Sequence, residues 1–555
     1  MTGDKNYNKV SVLVVGAGPA GLAAAIALKK TDPQAEVCVV DKAAGPGNHN
    51  LSGAVLEKDA LHKLLDMVAP DLARSERAAK VLNTVDKDDV LFLLGKSMAF
   101  NIIKVIHIAR AMKLGFGQMV HHGDYVCSIA ALTAWLAEIA RSVGVEVLHG
   151  FSVEDILYDP ASGLARGVKV VDQGLDKHGH KQPNYLAGEV VEADVIVLAE
   201  GCDGLLTEKF IDKAGLKRRA HQLYSLGVKE VIRVSEEQYK KFGNGRVVHA
   251  MGYPIWTPVV GPGMFGGGIM YAMGDNRIAV GMIVGLDWKS CDFNPQDALT
   301  RFKEHKFVKQ FVAGGQVIEA GAKMIPEGGL YAIPRDPVTG AIGKGNVLIL
   351  GDSAGLVNMC KIKGLHNAIE SGIAAGKAIA LTLQTPANAA ERYTALLNDS
   401  PVMKEMESAK NFRQTVAKFG PLQGMPLSVL GKWLPSFKIE PDYEMMTTQH
   451  YRLKPGVKFD KDTFTAVAAT HHREEEPCHL TIRDGEICRT KCQPRFSAPC
   501  ITFCPAGVYE AVADVVKPAN PSNCLHCKTC QRKCPFDNIR WTVPEGAGGP
   551  RYKTM

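Results

Sequence analysis

Nine of the chain's fourteen cysteines fall between Cys478 and Cys534, and no other feature constrains the fold as tightly. The densest stretch is Cys524-Leu-His-Cys527-Lys-Thr-Cys530-Gln-Arg-Lys-Cys534-Pro535, with the spacing C-x2-C-x2-C-x3-C-P. In this iron–sulfur run three close thiolates hold one face of a [4Fe–4S] cube. The fourth, before Pro, ligates a different cluster where there are two. Zinc also takes soft thiolates, but its sites favour two separated pairs over a triplet. Upstream lies Cys488-x3-Cys492-x7-Cys500-x3-Cys504-Pro505, with its own Cys-Pro pair. Crossed ligation then groups Cys524, Cys527 and Cys530 with Cys504, and Cys488, Cys492 and Cys500 with Cys534. The upstream spacings are looser than the standard run. Two readings stay open: one [4Fe–4S] cluster with four thiols left over, or two clusters. Cys478 has no place in either. The five cysteines before it are widely scattered and read as small buried side chains.

The N-terminal end carries a nucleotide signature. Lys9 to Val15 is apolar and rich in β-branched residues, the pattern of a buried parallel strand. Gly16-Ala-Gly-Pro-Ala-Gly21 follows and fits G-x-G-x-x-G. Leu22 to Lys30 predicts a helix, and Glu36 to Asp41 predicts a second strand ending in an acid. In that setting Gly16 allows the tight turn and Gly18 the close approach of pyrophosphate. Gly21 lets helix and strand pack, and the helix N-terminus faces the phosphates. Asp41 is placed to accept from a ribose hydroxyl. FAD and NAD share this fingerprint, and two later strand ends favour FAD. Val190 to Leu198 runs into Leu198-Ala-Glu-Gly-Cys-Asp-Gly204, and Asn346 to Leu350 runs into Gly351-Asp352-Ser-Ala-Gly355 and a helix-like run to Leu383. Gly351-Asp352 resembles the GD motif of FAD enzymes of the glutathione-reductase type. The nucleotide domain is therefore expected to be discontinuous.

Between these pieces Ala220 to Met324 reads as mostly antiparallel sheet lying over the flavin. Its strands are Leu226 to Ile232 and Ile278 to Gly285, with a turn at Asp275-Asn276. Two apolar stretches, Val90 to Met119 and Phe419 to Phe437, are too short or too charged to span a membrane. With interspersed Lys and Trp they suit either an element lying in the membrane interface or a core helix with a basic outer face. The longest uncharged run, Val247 to Gly274, is too rich in Gly and Pro for a spanning helix. The net charge is +7 in 555 residues with no long basic block, so nucleic acid is not an expected partner. Met1 to Lys9 has no apolar signal core, and the cytoplasmic side of a bacterial cell is the expected location.

Further motifs complete a resemblance. They are Gly47-Asn-His-Asn-Leu-Ser-Gly53, Phe265-Gly-Gly-Gly-Ile-Met-Tyr271, Lys361-Ile-Lys-Gly-Leu-His366, Phe503-Cys-Pro-Ala-Gly-Val-Tyr-Glu510 and Val543-Pro-Glu-Gly-Ala-Gly-Gly-Pro550. In this order, over nearly the whole chain, they resemble the electron transfer flavoprotein–ubiquinone oxidoreductase family. The tail is also similar to the small ferredoxin partner of nitrogen-fixation-associated flavoproteins. The resemblance implies a monotopic membrane enzyme with one FAD and one [4Fe–4S] cluster. Such an enzyme takes electrons from reduced electron transfer flavoprotein and reduces a membrane quinone, ubiquinone or menaquinone. By position it implies Cys504, Cys524, Cys527 and Cys530 as cluster ligands and the backbone of Gly266-Gly267 as the quinone contact. It also implies Phe419 to Phe437 as the membrane-inserting helix. The thiols at Cys488, Cys492, Cys500 and Cys534 depart from the family pattern. So does Gly351-Asp352-Ser353, where the family has Gly-Cys-Ser.

The expected fold class is an α/β FAD-binding domain of glutathione-reductase-like Rossmann type. It carries an inserted, mostly antiparallel quinone-binding sheet and a C-terminal ferredoxin-like iron–sulfur domain. Residues 1–90, 125–219 and 330–400 are assigned to the flavin domain and 220–329 to the sheet domain. Residues 401–440 form the interface segment and 441–555 the iron–sulfur domain. Electron transfer needs no nucleophile or triad, so none is expected. The rival readings are a flavoprotein subunit of a bifurcating complex, an FAD-dependent reductase with a fused ferredoxin, and a zinc-holding scaffold without turnover.

Overall fold

The computed structural model describes residues 9–51, 55–112, 114, 118–256, 263–428, 430, 433–451, 460–512 and 514–555. Ser52 and Gly53 of one motif, and Val429, Gly431 and Lys432 of the second apolar stretch, lie outside the described residues.

The first sheet is built on parallel strands. Glu146–His149, Val37–Asp41, Lys9–Val15, Val190–Leu198 and Val347–Ile349 lie side by side in that order, all parallel. Val12 to Val15 and Ile196 to Leu198 are fully buried, as strands covered on both faces must be. Helix Pro19–Thr31 runs back along this sheet and is buried continuously from Ala20 to Leu28. Its outer cover is helix Leu365–Thr382, supplied some 330 residues later in the chain. The two helices touch through glycines. A Cβ at Gly372 would lie 2.4 Å from the Ala20 carbonyl oxygen, and one at Gly376 would lie 2.6 Å from that of Ala24.

The helix-like run expected between Gly355 and Leu383 starts late. A single turn, Gly351–Ala354, ends at Gly355 with φ +78°. A loop pinned by Asn358 and Lys363 follows before the long helix begins at Leu365. Left-handed Gly355 stops the first turn, and the loop then carries Ile362 at φ +56°.

The second sheet has the order Gln316–Pro326, Tyr224–Arg233, Arg277–Gly285, Gly266–Ala272, Arg246–Gly252, Lys87–Leu94, Met98–Asn101. It is antiparallel except where Arg246–Gly252 runs parallel to Lys87–Leu94. Asp275 and Asn276 both take left-handed backbone, at φ +50° and +57°, and turn the central hairpin. The first apolar stretch is therefore neither one interface element nor one core helix. Val90, Leu91 and Leu93 are buried in a strand of this sheet, Met98–Asn101 is its exposed edge strand, and helix Ile103–Ala111 follows; Lys113, Gly115, Phe116 and Gly117 lie outside the described residues. The second stretch is also divided. Helix Phe412–Ser428 kinks at Gly420, φ +73°, and Pro421 starts its second half.

The tail is made of short pieces. Leu480–Ile482 pairs with Ile539–Trp541, and Tyr509–Val512 with Val515–Pro518. Two one-turn helices, Pro499–Phe503 and Thr529–Lys533, end on Cys504 and Cys534 respectively.

The glycine contact between the two long helices is testable. Gly376→Leu is expected to cost about 1–3 kcal/mol by overpacking and to lower the thermal unfolding midpoint. An unchanged midpoint would show that these helices can move apart.

Candidate functional site

A cavity at the carboxyl edge of the first sheet gathers the expected nucleotide residues. Gly16, Gly18, Asp41, Gly201 and Asp352 all line it. Each fingerprint glycine has its own reason to be there. Gly16 has φ +110°, and a Cβ on it would lie 2.3 Å from the Ala199 carbonyl oxygen. A Cβ on Gly21 would lie 2.0 Å from the Gly16 carbonyl oxygen. At Gly18 a Cβ would meet nothing within 4 Å, so the space above the helix N-terminus is open for a pyrophosphate. Asp41 is partly committed elsewhere. Its carboxylate accepts the amides of Ala17 at 2.7 Å and Ala43 at 2.8 Å, stitching the fingerprint turn to the second strand. Its remaining lone pairs face the cavity, where a ribose hydroxyl would sit. Gly351 does not line the cavity itself. Its φ of +53° turns the chain so that Asp352 does.

Sequence reasoning missed the charge of this cavity. Lys42, Lys323 and Lys528 converge on it from three parts of the chain. Burial, then Lys528 and Lys323, lower Lys42 to about 7, and burial with Lys528 lowers Lys323. Three ammonium groups around one hollow favour an anionic occupant, as a dinucleotide is. Asp352 is pushed up to about 6 by burial, with Lys323 opposing. No local spacing signals this convergence, and Lys528 reads in the sequence as a spacer between two cysteines.

A second cavity adjoins the first. Gly266, Gly267 and Gly268 line it, and Ile283, Glu327, Met359 and Ile362 line both. The rest of its wall is mostly apolar, with Phe412, Pro421 and Met425 coming from the kinked helix. The glycines are required by the sheet. A Cβ on Gly266 would lie 2.0 Å from the Ile283 carbonyl oxygen, and one on Gly267 would lie 2.2 Å from that of Ala250. The same lack of side chains bares backbone to the cavity. His249 is a polar exception in the wall. Its Nε2 pairs with Tyr271 Oη at 2.9 Å, and burial lowers it to about 3, so the ring is neutral.

The eight clustered cysteines of the two expected sets are free and buried, and they separate as crossed ligation requires. Cys504, Cys524, Cys527 and Cys530 enclose one small hollow, and Cys488, Cys492, Cys500 and Cys534 another. Three buried polar groups on the first hollow, Tyr509 Oη, Thr529 Oγ1 and Trp541 Nε1, have no well-formed hydrogen bond among the described residues. They lie within electrostatic reach of Cys530 and Cys527, where sulfurs of a bound cluster would accept from them. Burial, then the neighbouring Cys527, pushes the Cys530 thiol up to about 12. Iron must displace that proton to bind. Four convergent thiols with idle donors around them fit a [4Fe–4S] cluster.

The tail is fastened where it matters for electron flow. Asp203, in the loop after the fourth parallel strand, is fully buried at its side chain and pairs with Arg532. Arg532 Nε donates to it at 3.0 Å, and the Lys528 ammonium donates to the Asp203 carbonyl oxygen. Lys528 thereby lines both the flavin cavity and the first thiol hollow. Lys533, buried, donates to the Trp288 carbonyl oxygen at 2.7 Å and ties the tail to the second sheet. Two quoted motifs also meet here: His49 Nε2 lies 2.9 Å from the Gly548 carbonyl oxygen, and Ala547 donates its amide to the Lys42 carbonyl oxygen. The Lys361–His366 motif closes the other side, with Lys361 and His366 held on Glu405 at 2.8 and 3.0 Å.

A Rossmann sheet with an FAD cradle, a mostly antiparallel insert over it and a docked thiolate tail define a flavin-dependent oxidoreductase with a built-in iron–sulfur domain. Comparison with known proteins agrees. A model described as electron transfer flavoprotein-ubiquinone oxidoreductase, 4Fe-4S, matches residues 456–553. One described as ETF-QO, ubiquinone-binding, matches 224–325, and one for an NAD(P)-binding Rossmann-like domain matches 14–67. The chain is 33% identical to the electron transfer flavoprotein-ubiquinone oxidoreductase of Pseudomonas aeruginosa, covering 100% of both chains. It is 35% identical to the mitochondrial protein of that name from Arabidopsis thaliana, over 98% of this chain and 84% of that one. Against the Rattus norvegicus protein identity is 33%, over 99% and 89%. This chain belongs to the electron transfer flavoprotein–ubiquinone oxidoreductase family, and FAD and a [4Fe–4S] cluster are its cofactors. A geranylgeranyl bacteriochlorophyll reductase-like protein of Thermoplasma acidophilum shares the fold over 77% of this chain and 93% of its own, with a TM-score of 0.54 at 17% identity.

Removing Asp203 costs a charge-assisted hydrogen bond, about 1.5–3 kcal/mol, while Arg532, 30% exposed, keeps Glu208 at 3.8 Å. Asp203→Ala is therefore expected to loosen the tail, read as faster proteolytic cleavage near residue 460 with FAD still bound. Wild-type protease resistance in this variant would show that other contacts hold the tail.

Proposed function

We propose that this chain takes electrons singly from reduced electron transfer flavoprotein and delivers them, through its iron–sulfur tail and FAD, to a membrane quinone, ubiquinone or menaquinone. The observation that carries this reading is the mostly apolar cavity beside the flavin site, sharing four wall residues with it. A mostly apolar pocket with bare backbone and two polar side chains, His249 and Glu327, suits a flat ring with two carbonyls and an isoprenoid tail.

Bound cofactors supply one-electron relay in the cluster and two-electron storage in the flavin. The protein supplies the rest. Lys42, Lys323 and Lys528 hold the dinucleotide, and Phe412, Met425 and Met264 keep water from the quinone. Quinol formation takes up two protons; Glu327, whose carboxyl is pushed up by burial, is the wall group able to carry one, and neutral His249 offers a hydrogen bond.

The same reading places the protein on a membrane surface, at the cytoplasmic face in a bacterial cell. No helix among the described residues is long and apolar enough to cross a membrane. Instead, two apolar surfaces flank the quinone cavity. Phe419, Leu422, Leu430 and Trp433 are exposed on one side, with Trp433 at 66%. Met98, Phe100, Val105, Ile108 and Met112 are exposed on the other, with Ile108 at 61%. The first group lies on and just after the helix that supplies Phe412 and Met425 to the cavity, and the second adjoins Val90 and Met119. Both surfaces suit burial at the headgroup boundary, where the quinone would enter between them.

Filling the cavity tests the quinone assignment. Met425→Trp is expected to raise the quinone KM by about tenfold or more, while reduction of the bound flavin by reduced electron transfer flavoprotein keeps its rate. A quinone KM that stays at the wild-type value would place quinone elsewhere. Membrane attachment has its own test. The combination Leu422→Glu, Trp433→Glu and Ile108→Glu is expected to abolish co-sedimentation with phospholipid vesicles while dye reduction persists. Undiminished vesicle binding would remove these surfaces from the membrane contact.

A further inference from the structure

The family's cluster accounts for one set of four thiols. The other set has the same construction. Helix Pro499–Phe503 runs into Cys504-Pro505 and helix Thr529–Lys533 runs into Cys534-Pro535. In each, the final cysteine closes the helix, with Cys504 donating its amide to the Cys500 carbonyl oxygen at 3.1 Å and Cys534 to that of Cys530 at 3.2 Å. After each Cys-Pro the backbone curls so that amides face the sulfur. Ala506, Gly507 and Val508 do so for Cys504, and Phe536, Asn538 and Ile539 for Cys534. The two halves then exchange these cysteines. Cys504 follows the upstream three in sequence but joins the downstream three in space, and Cys534 does the reverse. That exchange is the topology of a two-cluster ferredoxin, and it has no purpose around a single cluster.

The second hollow is also built for charged sulfur. Asn538 donates its backbone amide to Cys534 Sγ at 3.3 Å and its side-chain amide to Cys488 Sγ at 3.4 Å. The side chain is itself held by Asp484, whose amide donates to Asn538 Oδ1 at 3.0 Å and whose carbonyl oxygen accepts from Nδ2 at 2.7 Å. A polar clamp on two thiols is costly in a merely apolar core and favourable around thiolates. Isoleucine, valine and phenylalanine close the rest of the hollow. The spacing disfavours zinc. Among the described residues, the sets of three ligand atoms that lie within 4.8 Å of one another include none of these eight thiols. A zinc ion at about 2.3 Å from each sulfur needs them about 3.8 Å apart.

We propose that Cys488, Cys492, Cys500 and Cys534 hold a second [4Fe–4S] cluster, which makes the tail a two-step relay with this cluster as the port of electron entry. The first hollow shares Lys528 with the flavin cavity, whereas the second has no wall residue in common with it. Cys500 lies within electrostatic reach of Cys530, so the two sites are neighbours. Beside the outer one Lys491 and Arg495 are exposed, and Arg489 is paired with Glu486, so this end of the tail presents charged side chains to an incoming partner. The relay moves electrons alone: the reduced flavoprotein is oxidised by one electron at the port, and that electron leaves for the inner cluster without a proton. The port rests on the function proposed above; the metal site does not.

The test uses the full-length chain, purified anaerobically in detergent. Iron and acid-labile sulfide should each reach about eight per FAD, against about four for a single cluster. The dithionite-reduced protein should show two interacting paramagnetic centres. Cys488→Ala with Cys492→Ala should leave about four irons, full FAD and one uncoupled centre, and Cys527→Ala should leave the other. Four irons per FAD after anaerobic reconstitution with ferrous iron and sulfide would overturn the site, and so would one zinc per chain. Should the double variant lose FAD as well, the spin count of the wild-type protein decides: two spins per FAD support the site and one overturns it. Eight irons in the wild-type protein, together with undiminished electron entry in the double variant, would keep the site and overturn the port.

Discussion

Electron transfer weakens steeply with distance, so everything in this molecule depends on how the tail is held against the flavin domain. Asp203 is the joint. It sits in a loop beside the flavin cavity, and burial gives its pairing with Arg532 more strength than a surface pair has. The same contact draws Lys528 inward, where one side chain borders both the dinucleotide and the first thiol hollow. A cluster domain tethered only by its linker would wander. Here Asp203, the Lys533 anchor on Trp288 and the His49–Gly548 contact fix it from three directions.

The second sheet solves a different problem. A quinone is apolar and confined to lipid, while the flavin needs a polar cradle. Placing the two cavities on a shared wall of Ile283, Glu327, Met359 and Ile362 lets each keep its own character. The glycine run shows how economically this is done. Gly266 and Gly267 are needed so that neighbouring strands can approach, and their bare backbone then faces the cavity. The buried Arg413, paired with Glu327 at 2.7 Å and Asp287 at 2.9 Å, fixes the kinked helix to this wall.

What was legible in the sequence was what short spacing encodes. The fingerprint glycines and the strand ends at Leu198 and Leu350 are each written within a few residues, so local geometry suffices to read them; the two thiol sets reach across the tail, and the paired Cys-Pro motifs at Cys504 and Cys534 were the signal for their exchange. Long-range placement was not legible. Lys42, Lys323 and Lys528 meet only after three separate elements have folded, and the Asp203–Arg532 pair spans most of the chain. The parallel pairing of Lys87–Leu94 with Arg246–Gly252 was hidden for the same reason, and the stretch around it read as one interface or core element instead of a buried strand. The late start of the long helix at Leu365 was hidden because the loop before it, with Ile362 in left-handed backbone, carries no Pro or turn motif to mark it.

The discontinuity of the flavin domain bears on how the chain is made. Helix Pro19–Thr31 emerges early from the ribosome, apolar along nearly its whole length. Its cover, Leu365–Thr382, is synthesised more than 330 residues later. At roughly 5–20 residues per second, that is a delay of tens of seconds. Through that interval the first βαβ unit presents an open apolar face, and the strand that completes its sheet, Val347–Ile349, is also missing. Dinucleotide capture must therefore wait until the ribosome has passed the GD turn and the cover helix after it.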